Sequence, residues 1–122
     1  MNDFNVKFGI IGIDHRHVYT QAQFLIELGA ELVGWYTEGS PTTLGGFTKR
    51  FPKAKRFKDP RSLLEDPDIK VILTSAVPND RAKISISAMK HGKDVMSDKP
   101  GCLSFGDLEE LRQTVQQTGR IW

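Results

Sequence analysis

The stretch "NVKFGIIGIDHRHVYTQAQFLIELG", residues 5–29, changes periodicity part-way along. Residues 5–12 are mostly apolar, rich in β-branched side chains, and end at Gly12, as a strand buried on both faces would. From His15 to Leu28, the apolar residues Val18, Ala22, Leu25, Ile26 and Leu28 fall at helical spacing, and Gly29 stops the run. Between strand and helix stand Asp14, His15, Arg16 and His17. An acid and two histidines in four positions ask for an explanation.

Further out, the same alternation continues. "AELVGWYT", 30–37, reads as a second strand. "SPTTLGGFTKRF", 40–51, opens on a Ser-Pro helix signal, but Gly45 and Gly46 weaken the helix. "AKRF", 54–57, suits a short edge strand. "DPRSLLED", 59–66, is a short helix with Asp59 as cap and Pro60 in its first turn. "IKVILTSA", 69–76, is a buried strand, and 79–92 is a helix closed by Gly92. "KDVMS", 93–97, is a strand. The helix over 104–119 carries a Ser104/Asp107 variant of the capping box and stops at Gly119.

Strands alternating with helices require crossover connections, and these favour a parallel sheet covered on both faces. The expected fold is therefore α/β: a Rossmann-type three-layer domain spanning 1–122, with a mostly parallel sheet in the order 3-2-1-4-5. Ligands in such a fold sit at the carboxyl ends of the strands. That rule selects 12–17, 37–40, 75–81 and 97–101.

Composition narrows the function classes. With 39% apolar and 26% charged residues, a 122-residue chain suits one soluble domain with a modest core. A net charge of +2 without a basic cluster argues against nucleic acid as a partner. No apolar run approaches the ~20 residues that span a bilayer, and "MNDFNVKFG" lacks a signal-peptide pattern. A single cysteine, Cys102, excludes an internal disulfide and fits a reducing, cytoplasmic setting.

The loop at 12–17 admits three readings. As a dinucleotide fingerprint, Gly-x-Gly-x-x-Gly, it keeps Gly12 and replaces the other two glycines by Asp14 and His17. The strand–turn–helix setting is right, and a helix N-terminus offers N–H groups and a positive dipole end to a diphosphate. Asp14 is placed to cap that helix. As a metal site it would need further ligands. The only other histidine is His91, at the far end of a later helix, and His-x-His hydrolase sites of this kind belong to complete eight-stranded barrels. No metal is therefore expected. In the third reading these side chains cover the loop without chemistry.

Several later motifs point one way. "VILTSAVPNDRAKISISAMKHGKDVMSDKPG", 71–101, resembles the nucleotide-binding half of the glucose–fructose oxidoreductase/inositol dehydrogenase (Gfo/Idh/MocA) family. That family carries a strand, a Pro-Asn loop, a helix ending in Ala-Leu-x-x-Gly-Lys, and a strand ending in Glu-Lys-Pro. The matches are Pro78-Asn79, Ala88 to Lys93, and Asp98-Lys99-Pro100. "VKFGIIG" and "AELVGWYTE" match its first two strands, so the resemblance covers residues 5–122.

What the resemblance implies is hydride transfer between NAD or NADP and a carbon bearing a hydroxyl, often on a sugar or cyclitol. Lys99 is then the catalytic residue, stabilising charge on the reacting oxygen. Cofactor-binding positions are Gly12, Ile13, Asp14, His15, His17, Thr37, Glu38, Val77, Pro78, Asn79, Asp98 and Lys99. Thr37 stands where NAD-dependent members often place a ribose-binding Asp. Glu38 beside it favours NAD, whereas Lys49 or Arg50 would reach the 2′-phosphate of NADP. Arg81 replaces the histidine common after Pro-Asn. The family's substrate pocket comes from a second, mainly β domain. "GRIW" at the end reads as the start of its next strand. The chain is therefore expected to be a piece of a longer protein that acts on a small-molecule polyol or sugar and can assemble as a homo-oligomer. The alternatives are a non-catalytic nucleotide sensor and a metal-dependent hydrolase using Asp14, His15 and His17.

Overall fold

The computed structural model of the protein describes residues 5–122. Five strands alternate with five helices: β1 (Lys7–Ile11), α1 (His17–Glu27), β2 (Glu31–Tyr36), α2 (Leu44–Arg50), β3 (Lys55–Arg56), α3 (Arg61–Leu64), β4 (Ile69–Thr74), α4 (Pro78–Lys90), β5 (Asp94–Ser97) and α5 (Phe105–Thr118). All neighbouring strands pair in parallel, in the order β3-β2-β1-β4-β5. The expected architecture and strand order are both present.

Two separate cores explain the three layers. Alternate residues of a strand face opposite sides of the sheet. Phe8 and Ile10 of β1 join Val18, Ala22, Trp35 and Phe47 under α1 and α2. Ile11 and Ile72 join Ala82, Ile86, Met89 and Leu111 under α4 and α5. Each fully buried side chain of this size contributes about 1.5–3 kcal/mol against exposure.

Local signals account for most boundaries. Gly29, Gly92 and Gly119 follow the ends of α1, α4 and α5. Helix α2 forms despite its two glycines because Phe47 is wholly buried, edge-on to Trp35 at 4.7 Å between ring centroids. Asp59 accepts the Arg61 N–H at 2.9 Å, although Pro60 occupies the cap position itself. Ser104 accepts the Asp107 N–H at 3.0 Å. Beyond α5 the chain runs beside β5, where the Val95 N–H donates to the Ile121 carbonyl at 2.8 Å. Among the described residues, no helix is long and apolar enough to cross a membrane.

Candidate functional site

The carboxyl ends of β1, β2, β4 and β5 carry the four selected stretches at one edge of the sheet. Gly12 is fastened on both sides: its N–H donates to Tyr36 O at 2.8 Å and its carbonyl accepts from Ser75 N at 2.9 Å. Its φ is +88°, and a Cβ there would lie 2.4 Å from the Cβ of Ala76. Only glycine fits this crossing. The next residue, Ile13, donates its N–H to the Thr37 hydroxyl at 3.3 Å and accepts a hydrogen bond from the Thr43 hydroxyl. Thr37 is 3% exposed and secures the loop from beneath, while also bordering the groove that Glu38 lines.

The expected cap on α1 is not there. The helix starts at His17, with Arg16 in the cap position and no side-chain cap from Asp14. Instead, Nδ1 of His15 accepts the His17 N–H at 3.1 Å. A carboxylate at position 14 lies one residue too early for that turn, and Asp14 lines a neighbouring groove instead.

Asp98, at the end of β5, is the centre of the site. It is 4% exposed. Its two oxygens lie 3.1 and 3.2 Å from Nδ1 of His17, and one accepts the Lys99 N–H at 2.9 Å. Nδ1 of His15 is 3.6 Å away and the buried Arg81 guanidinium 3.7 Å. Burial acts to raise the Asp98 pKa. The hydrogen bonds from His17 and Lys99 N–H, with the charges of His17 and Arg81, outweigh it and hold the carboxyl below the usual carboxylate range. Arg81 also donates to Ala76 O at 2.7 Å and Pro100 O at 3.2 Å. It thereby ties the β4–α4 turn to the Lys99-Pro100 turn. That peptide bond is cis.

His15, His17 and Asp98 place three ligand-type atoms within 4.8 Å of one another. The carboxylate already faces a full positive charge from Arg81, which a cation would have to share. His91 takes no part: it ends α4 and its Nδ1 lies 2.7 Å from Ser87 O.

Lys99 is exposed, and among the described residues its ammonium forms no ion pair. It shares a shallow cleft with Ser97, Asp98, Gly101 and Trp122. Val77, Pro78 and Asn79 are exposed at the start of α4; Val77 is the cap residue, so Asn79 is free of that task. A groove of about 350 Å³ runs past Gly12, Asp14, Glu38, Ala76, Asp80 and Lys83. A second groove is lined by Thr37, Glu38, Arg56 and Lys58. Arg50 lies elsewhere, stacked over Tyr19 at 4.0 Å and bonded to Gly46 O, and Lys49 lines neither groove.

Residues 6–122 match the profile of an oxidoreductase family, NAD-binding Rossmann fold, Gfo/Idh/MocA. The chain belongs to this family. Among its relatives is the myo-inositol 2-dehydrogenase of Thermotoga maritima, 32% identical over 67 residues, which are 55% of this chain and 20% of that protein. A crystal structure of a candidate oxidoreductase from Erwinia carotovora atroseptica SCRI1043 superposes with a TM-score of 0.92 at 32% identity, covering 96% of this chain and 35% of that one. Biliverdin reductase from Synechocystis sp. PCC 6803, solved with biliverdin and NADP+, shares the fold at a TM-score of 0.79 and 22% identity, over 95% of this chain and 36% of that one. The chain thus spans about a third or less of the length of these relatives.

Within the Gfo/Idh/MocA frame the residues fit a dinucleotide. The bare Gly12 crossing and the α1 N-terminus lie where a diphosphate approaches. Sequence reasoning missed two contributors. Arg81 stands out there only as an unusual residue after Pro-Asn, and Trp122 only as the end of an apolar tail.

Proposed function

We propose that this domain holds NAD or NADP for a reversible hydride transfer at a hydroxyl-bearing carbon of a sugar or cyclitol. The observation that carries the reading is the convergence of the Gly12 crossing, Asp98 and the unpaired Lys99 at one end of the sheet. When bound, the nicotinamide supplies or accepts the hydride. The side-chain-free crossing at Gly12 leaves room for the diphosphate beside Ile13, flanked by Asp14, His15 and His17. Glu38 faces the adenine ribose, and its carboxylate disfavours a 2′-phosphate, while Arg56 and Lys58 lie close enough to favour one. Val77, Pro78 and Asn79 border the nicotinamide. The Lys99 ammonium hydrogen-bonds the reacting oxygen and stabilises the negative charge that develops on it, while the hydroxyl proton passes to a base supplied by a second domain. Asp98, locked by Arg81 and His17, fixes the turn from which Lys99 projects.

The substrate pocket belongs to a second domain that completes the cleft, in a cytoplasmic protein that assembles with further copies of itself. The Asp98 cluster serves the dinucleotide and not a metal. The test is direct: residues 1–122 are titrated with NADH and NADPH, following energy transfer from Trp35 and Trp122 to the nicotinamide. Saturable quenching with one site per chain supports the reading. Absence of binding by both overturns it.

A further inference from the structure

The two histidines of the loop have different proton placements, and the difference has a consequence for binding. Asp98 is a carboxylate and accepts only, so the hydrogen on its bond to His17 belongs to Nδ1 of His17. Neutral His17 then carries a lone pair on Nε2. His15 is the reverse. Its Nδ1 accepts the His17 N–H, so its ring hydrogen sits on Nε2. The rings lie side by side, 4.0 Å between centroids, and both are about half exposed at the start of α1.

We propose that His15 is a constant donor to the dinucleotide diphosphate, and that His17 becomes a second donor only as the imidazolium, so that coenzyme affinity is proton-linked. This rests on the dinucleotide reading above. Without a proton, Nε2 of His17 has only a lone pair to set against an anion at the α1 N-terminus. Protonation replaces that lone pair by an N–H and adds a positive charge, while Asp98 keeps the ring in place. The surrounding charges are Asp98 and, behind it, Arg81 from α4; Lys99 beyond β5; and Asp14, His15 and Arg16 on the loop itself. Asp80 and Lys83 of α4 face Asp14 across the groove. Asp14 adds a negative charge where the fingerprint has glycine. An imidazolium at position 17 offsets it.

The test measures NADH affinity of the whole 122-residue chain in EDTA across the imidazole range, about pH 6 to about pH 8. NADH is the probe because its diphosphate keeps constant charge there. Affinity should fall severalfold as pH rises, with a ceiling of about tenfold per pH unit for one linked proton. Calorimetry in two buffers of different ionisation enthalpy should show proton uptake on binding. His17→Gln should flatten the profile, and His15→Gln should weaken binding while keeping its slope. Nitrogen-15 shifts of the free chain should report the Nδ1–H form of neutral His17 and the Nε2–H form of His15. An affinity independent of pH, or a slope that survives His17→Gln, overturns the inference and leaves the dinucleotide reading standing. Failure of both NADH and NADPH to bind at any pH overturns both.

Discussion

Lys99 and Arg81 show how differently two cations act in one site. Lys99 is exposed and unpaired among the described residues, so its charge is available to chemistry. In the proposed reaction its contact is with charge that develops on the substrate oxygen. In a protein carrying the substrate domain, Lys99→Ala should therefore lower kcat about 100-fold or more while NADH affinity changes little. Unchanged kcat with impaired coenzyme binding would make Lys99 a binding residue only. Arg81, 2% exposed, is spent on Asp98, Ala76 and Pro100. Arg81→Met should cost about 3–5 kcal/mol in urea unfolding, because it takes a buried counter-charge from Asp98 and removes the hydrogen bonds to Ala76 O and Pro100 O. The double variant Arg81→Met/Asp98→Asn should recover part of that loss. A pH dependence follows from Asp98. Its folded pKa is depressed, so its contribution is complete above the unfolded value of about 4 and is lost as pH falls through the folded one. Asp98→Asn should remove that segment of the acid-unfolding curve.

At the scale of elements, α2 is the least secure piece. Gly45 lies in the helix with nothing within 4 Å of where a Cβ would stand, whereas a Cβ at Gly46 would meet the Tyr19 hydroxyl at 2.5 Å. That hydroxyl donates to Thr43 O at 2.9 Å. Gly45→Ala should stabilise by about 0.5–1 kcal/mol through lost unfolded-state freedom, seen as a higher Tm. Gly46→Ala should gain less or lose stability, because Tyr19 must move; equal gains would show that the Tyr19 contact is soft. The strands and the longer helices were legible because each is specified within ten or so residues: β-branched runs for β1 and β4, helical spacing for α1, glycine stops after α1, α4 and α5. The loop at 12–17 was legible only in part. Its place follows from the strand–turn–helix order, but Asp14 is not the cap the sequence suggests, because the helix begins at His17 and its cap position falls on Arg16. The His17–Asp98 bond joins residues 81 apart, on β1 and β5 connections separated in the sheet by β4. No local pattern encodes such a pairing; it appears only once the strand order and the twist bring the loops together.

For the molecule as a whole, the site is a rim and not an enclosure. Val77 is 44% exposed and Trp122 40%, both bordering the reacting end, and Leu103 and Phe105 just past the Lys99-Pro100 turn are 55% and 91% exposed. In the proposed reaction the sheet supplies the coenzyme side of the cleft and the ammonium of Lys99. Among the described residues no wall stands opposite them. Hydride transfer depends on holding donor and acceptor carbons in near-contact and on keeping water from the charge that forms. A domain with only one side of the cleft can bind the dinucleotide yet leave the substrate carbon unplaced. Residues 1–122 should therefore bind NADH or NADPH but give no measurable dehydrogenase turnover on sugars or polyols. The check is an absorbance assay for reduced nicotinamide at high enzyme concentration, with myo-inositol and a panel of hexoses, run beside the binding titration on the same sample. Binding without turnover supports the proposal that a second domain completes the cleft. Robust turnover by this chain alone would mean that a neighbouring copy, or the apolar rim itself, closes the cleft.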